Sequence, residues 1–194
     1  MNFRGILHLQ EKELPIMENT LFFKEPSEIP DKHLDSYGEE NKWAMVGFPS
    51  DTKITDNPYK IKKFRRHGFS KNRVEEIFND INFHMDKNDN ASEDRFFLIC
   101  RLFNSEEVKI SGHIFKKNGR IIIDICEGNR PSGRDWTPDL SYIIDKFDSF
   151  QKEVKYHKFV KLILEHLSKL DDGAYLDFTV LQDNRLFYHD LSFH

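Results

Sequence analysis

Val108-Lys109-Ile110-Ser111-Gly112-His113-Ile114-Phe115-Lys116-Lys117-Asn118-Gly119-Arg120-Ile121-Ile122-Ile123-Asp124-Ile125-Cys126 is the stretch on which the fold turns. Two apolar runs flank Asn118-Gly119. Asn-Gly between such runs is the strongest short-range hairpin signal, because the tight turn needs positive φ at both central residues. The expected strands cover residues 108–115 and 120–126.

Working outward, Phe96-Phe97-Leu98-Ile99-Cys100 reads as a strand continuing to Phe103. Beyond the hairpin a loop of residues 127–138 precedes a long helix that carries Tyr156, Phe159, Val160, Ile163, Leu164, Leu167 and Leu170 on one face. Asp172-Gly173 ends it, and two further strands, residues 175–181 and 185–190, close the chain around Gln182-Asp183-Asn184. Strand pairs interrupted by one long helix predict an α+β fold, a mostly antiparallel sheet with helices packed on one face.

The N-terminal part is less regular. Residues 1–42 hold short apolar pieces separated by Pro15, Pro26 and Pro30, and read as extended segments with turns. Residues 43–48 form a better strand. Residues 60–73 carry seven basic side chains and no acid; Ser70 then suits an N-cap, and Val74, Ile77, Phe78 and Ile81 recur at helical spacing. Residues 85–94 read as a surface loop. The expected organisation is an N-terminal α+β subdomain, 1–95, and a C-terminal subdomain, 96–194, with a shared core.

Composition narrows the function classes. A chain of 194 residues with 38% hydrophobic residues and 18 phenylalanines can build a packed interior. Its net charge of −4 argues against a general nucleic-acid coat. Cys100 and Cys126 lie in apolar runs and read as buried free thiols, which implies a reducing compartment, the cytoplasm. No apolar run approaches the roughly 20 residues that span a bilayer, and Met1-Asn2-Phe3-Arg4 does not begin a signal peptide.

Three stretches, in order, resemble the end of the ATP-binding domain of phosphoenolpyruvate synthase and pyruvate phosphate dikinase, an ATP-grasp-like fold. Ile110-Ser111-Gly112-His113-Ile114-Phe115 resembles that family's Ser/Thr-Gly-Val-x-Phe strand. Gly133-Arg134 with Thr137-Pro138-Asp139-Leu140 is similar to its Gly-x-Arg-Thr-Pro-x-Asp-Leu segment. Leu176-Asp177-Phe178-Thr179-Val180, followed by Leu186-Phe187-Tyr188-His189-Asp190, resembles its two closing strands. The departures are the family's final Gln and Arg, replaced here by Asp190 and Ser192, and its Val-Arg-Ser arginine, which has no counterpart in residues 44–48. The family's phosphohistidine and enolpyruvate-binding domains lie outside this chain.

The resemblance implies ATP and Mg²⁺ as cofactors. Asp177 and Asp190 lie on adjacent closing strands, where two carboxylates side by side suit Mg²⁺ shared with nucleotide phosphates; they equally suit edge-strand charges facing water. Arg130 and Arg134 sit in a loop containing Gly and Pro, and a guanidinium fork matches phosphate oxygens. By the resemblance Arg134 contacts the nucleotide phosphates and is the leading catalytic candidate; the alternative is a solvated loop arginine. Asp124 and Glu127 end the third strand. Glu127, beside Gly128, is the preferred nucleotide contact, and Asp124 reads as the outward member of a strand whose Ile123 and Ile125 point inward.

The basic stretch admits three readings: a solvated face balanced by acids, a lysine over the nucleotide phosphates with Lys60 or Lys62 as candidates, or a nucleic-acid surface. His157 and His166 are too far apart for a helical metal pair, and a hydrolase reading has no nucleophile elbow. The implied function is ATP–Mg²⁺ binding. A reaction would be phosphoryl transfer or ligation, with the acceptor a separate substrate or protein partner. The alternatives are a non-catalytic binding or scaffold protein of the same fold, and a small nucleic-acid-binding protein.

Overall fold

The computed structural model describes residues 3–35, 42–49, 64–87, 94–129, 137–145 and 155–193. The chain divides into two compact units. The first comprises Met17–Asn104, the second Asn2–Ile16 with Ser105–His194.

The first unit is a four-stranded antiparallel sheet in the order β1 (Leu21–Phe23), β4 (Arg95–Arg101), β2 (Trp43–Pro49) and β3 (Arg65–Phe69). A short helix, α2 (Asp31–Asp35), precedes β2, and α3 (Val74–Asp86) packs on the sheet. Val74, Ile77, Phe78, Ile81 and Met85 form the buried stripe of α3, as their helical spacing predicts. Helix and sheet meet at Gly47. A Cβ there would lie 2.7 Å from Ile81 Cγ2 and 2.8 Å from Met85 Sδ, so only glycine lets the helix this close. Phe97 stacks on Phe23 at 5.6 Å and meets Phe78 at 4.5 Å, which uses part of the phenylalanine content as an aromatic core. Cys100 is free and buried, and burial pushes its thiol up to about 12.

The second unit is a five-stranded antiparallel sheet in the order β7 (Leu140–Ile144), β6 (Arg120–Glu127), β5 (Val108–Lys117), β8 (Ala174–Leu181), β9 (Leu186–Phe193). The β5–β6 hairpin turns at Asn118 (φ 54°) and Gly119 (φ 75°), the left-handed pair that Asn-Gly predicts. Ile114, Ile123, Ile125, Leu176, Phe178 and Leu191 line one face. The helix α4 (His157–Leu167) buries Val160, Ile163, Leu164 and Leu167 on that side, and Lys116 Nζ donates to the carbonyls of Leu167 and Leu170 past its end. At Gly112 a Cβ would fall 2.8 Å from the Phe178 ring and 1.9 Å from the Asp124 carbonyl oxygen, so the glycine of this strand makes room for the Phe178 ring. The architecture is the expected α+β arrangement of antiparallel sheets with helices.

Several expectations need correction. Residues 3–11 form a helix, α1 (Phe3–Glu11), in place of extended segments. Ile6 and Leu9 are buried, and Gly5 lies against the Leu191 backbone of β9, so packing on the second unit favours the helix. Strand β7 lies between the expected loop and α4. Ser70 precedes a 3₁₀ turn and makes no side-chain cap, so the α-helix starts at Val74. That helix runs to Asp86 because Met85 is still buried, which shortens the expected 85–94 loop.

Candidate functional site

Strand parity builds the site. In β5, Gly112 and Ile114 face α4, so Ser111, His113 and Phe115 face the opposite way. Directly opposed residues of an antiparallel pair share a face. The register sets His113 opposite Asp124 of β6 and opposite Asp177 of β8. Asp177 in turn stands opposite Asp190 of β9, and Asp124 opposite Ser141 of β7. A single polar row, Ser141-Asp124-His113-Asp177-Asp190, therefore crosses all five strands on the face away from α4.

Its last member depends on a bulge. Tyr188 is fully buried opposite Phe178, and in an unbroken strand Asp190 would share its face. The register shifts between Asp177 and Phe178, leaving His189 as the extra residue, and this turns Asp190 to the Asp177 side. His189 Nε2 bonds the Thr179 hydroxyl at 2.6 Å.

His113 Nδ1 hydrogen-bonds Asp177 Oδ1, with the two side chains 16% and 22% exposed. The His113 ring also stacks on Tyr175 at 5.6 Å. Ser141 donates to Asp124 Oδ1 at 2.6 Å, and Asp190 Oδ1 accepts the Leu191 backbone N–H at 3.0 Å. Like charges directly opposite one another destabilise a sheet. Asp177 and Asp190 are such a pair, and a bound cation would offset their repulsion.

Among the described residues no three His, Cys, Asp or Glu side chains form a metal-holding group. A cation held by Asp177 and Asp190 would have to take its remaining ligands from water and phosphate. Mg²⁺ does so, with hard oxygen donors and few protein ligands.

Glu127 and Asp124, the other described candidates, lie on opposite faces of the sheet. Glu127 stands opposite Ile110, in register with the α4 side of the sheet, and not on the polar row. Its carboxylate accepts from Lys155 Nζ and, at 2.8 Å, from Tyr156 OH just before α4. The hydrogen bond to Glu127 raises the Lys155 pKa. Asp124, read as outward-pointing, is on the row. Lys60, Lys62, Arg130 and Arg134 lie outside the described residues. In the basic stretch Arg66 pairs with Asp80 at 2.6 Å, Lys71 with Asp35 at 2.7 Å and Arg73 with Glu76 at 2.5 Å. These three behave as a face balanced by acids.

Sequence reasoning missed His113, Ser141 and the Thr179–His189 contact as parts of one surface. The signal for His113 was present. The Asn118-Gly119 turn sets Lys117 opposite Arg120, and counting back along both strands reaches His113 and Asp124 together.

No protein-family model matches the chain, and no curated protein sequence matches it. Solved structures do. D-alanyl-alanine synthetase A from Vibrio cholerae O1 is similar with a TM-score of 0.52 at 11% identity, over 97% of this chain and 53% of that one. The D-alanine-D-alanine ligase from Coxiella burnetii is similar with a TM-score of 0.51 at 10% identity, over 97% and 45%. This chain spans about half the length of those structures. At such identity the likeness establishes fold alone: the chain has an ATP-grasp-like α+β fold. It does not single out the phosphoenolpyruvate synthase branch.

Proposed function

We propose that this chain binds ATP with Mg²⁺ on the polar row of the second unit and serves an ATP-dependent ligation or phosphoryl transfer to a separate acceptor. The observation that carries the reading is the Asp177–Asp190 pair, two carboxylates held opposite each other on adjacent strands of an ATP-grasp-like sheet. Asp177 and Asp190 would hold the cation. Bound there, Mg²⁺ would neutralise phosphate charge that builds as a phosphoryl group transfers. Arg134, with Arg130, is the proposed phosphate contact. Lys60 and Lys62 stay candidates for that role through the resemblance to the phosphoenolpyruvate synthase and pyruvate phosphate dikinase family.

Thermal unfolding with nucleotide tests this. Ligand that binds only the native state stabilises it by about 2.7 kcal/mol at a hundredfold excess over Kd. We expect ATP with Mg²⁺ to raise the melting temperature, Mg²⁺ alone not to, and Arg134→Ala, Asp177→Asn or Asp190→Asn to lose the rise. No response to any nucleotide would sink the reading. A second reading, a non-catalytic protein of the same fold, draws on the His113–Asp177 hydrogen bond, since it satisfies a carboxylate that the cation would use. That reading predicts no nucleotide response, with wild-type stability depending on His113.

A further inference from the structure

We infer that His113 is a positioning residue for the cation-binding carboxylate: its ring N–H holds Asp177 so that, beside Asp190, one free oxygen faces the metal of a bound metal–nucleotide. This rests on the ATP–Mg²⁺ reading and names a part of it that neither the sequence resemblance nor the fold assigns. An ionised carboxylate can only accept, so Nδ1 of His113 is the donor to Asp177 Oδ1. Such charge-assisted bonds are short and fix the acceptor's orientation. Among the described residues Oδ2 of Asp177 has no hydrogen-bond partner, which leaves its lone pairs for a cation.

His113 is itself held firmly. It sits on the central strand β5, flanked by β6 and β8, with its ring against Tyr175. Its neighbours on the row are Asp124 and Asp177, so it is the one nitrogen-bearing side chain between two carboxylates. Asp190 is oriented by different means, the His189 bulge and the Leu191 backbone N–H. Outer partners that orient metal ligands are worth about 10–100-fold in metal affinity.

The test titrates Mg²⁺ at fixed saturating ATP and reads the melting temperature. His113→Phe keeps a ring and removes the donor, whereas His113→Asn keeps an amide N–H near the Nδ1 position. We expect His113→Phe to raise the Mg²⁺ concentration for half the full shift about 10–100-fold, with the shift recovered at high Mg²⁺. His113→Asn should stay near wild type, and Asp177→Asn should shift at no concentration. If His113→Phe does not fold, His113→Leu, which also lacks a donor, replaces it with the same expectation. Equal half-points for the donor-lacking and donor-keeping variants would overturn the inference while leaving nucleotide binding intact. A wild-type protein with no ATP response would instead remove the reading beneath it.

Discussion

On one face of the five-stranded sheet, Ile114, Ile123, Ile125, Leu176, Phe178 and Leu191 are at most 1% exposed. On the other, a single residue along each strand, Asp124, His113, Asp177 and Asp190 stand in a row. Both faces come from the same strands, yet they answer to different physics. Burial on the first face is non-directional, and every apolar residue adds to it. The second face is built of directional polar contacts, such as His113 with Asp177 and Ser141 with Asp124. What the row needs is register, since a slip of one residue would send its members into the core. The apolar face therefore sets the geometry, and the polar face uses it.

The largest effect should come from breaking the apolar face. Phe178→Ala removes a buried ring that fills the space left by Gly112, and should cost about 3–5 kcal/mol in a denaturant titration. A loss under about 1 kcal/mol would mean that the neighbouring side chains close the cavity and that the face is less specifically packed than its burial implies. The row should respond differently. Asp190→Asn keeps an acceptor oxygen for the Leu191 N–H and removes one of two like charges, so it should not lower apo stability, while abolishing the Mg²⁺-dependent ATP shift. A clear fall in stability would show Asp190 to be a structural member of β9, and the division between the faces would fail.

How far each face was legible follows from the same contrast. The apolar face is periodic: Ile123, Ile125 and the α4 stripe could be read directly, and the hairpin turn fixed the register of β5 on β6. The Asp177–Asp190 pairing was foreseen from a tight turn, but its cause was not. Leu186 and Tyr188 are two residues apart and Leu191 three further on, all buried, and only a bulge reconciles that spacing. The partners of Glu127, Lys155 and Tyr156, were not foreseen because nothing local marks them; the contact arises where the end of β6 meets the start of α4. Strand β7 escaped notice because Leu140-Ser141-Tyr142-Ile143-Ile144 alternates weakly and takes its register from β6. Helix α1 escaped because its partner, Leu191, lies at the other end of the chain.

The least dramatic difference between the faces concerns protons, and the apolar side supplies it. His166 on α4 reaches inward to bond Tyr188 OH at 3.0 Å. Burial, with some help from Lys169 and against Glu165, lowers its pKa below the ordinary 6.5. Burial also raises the Tyr188 phenol, so neither group favours charge in the native state. Above the ordinary histidine value both native and unfolded His166 are neutral, and the contribution to stability is fully present. As pH falls below that value the unfolded chain takes up a proton that the native chain refuses, and stability is lost until the native pKa is reached. His33 in the first unit is shifted in the same direction by burial, so some acid sensitivity survives without His166. Urea midpoints at about pH 8 and about pH 5.5 should therefore fall further apart in the wild type than in His166→Gln. Equal separations would mean that His166 is protonated as readily in the folded chain as in the unfolded one. The apolar face would then tolerate a charge that its packing around Tyr188 should exclude.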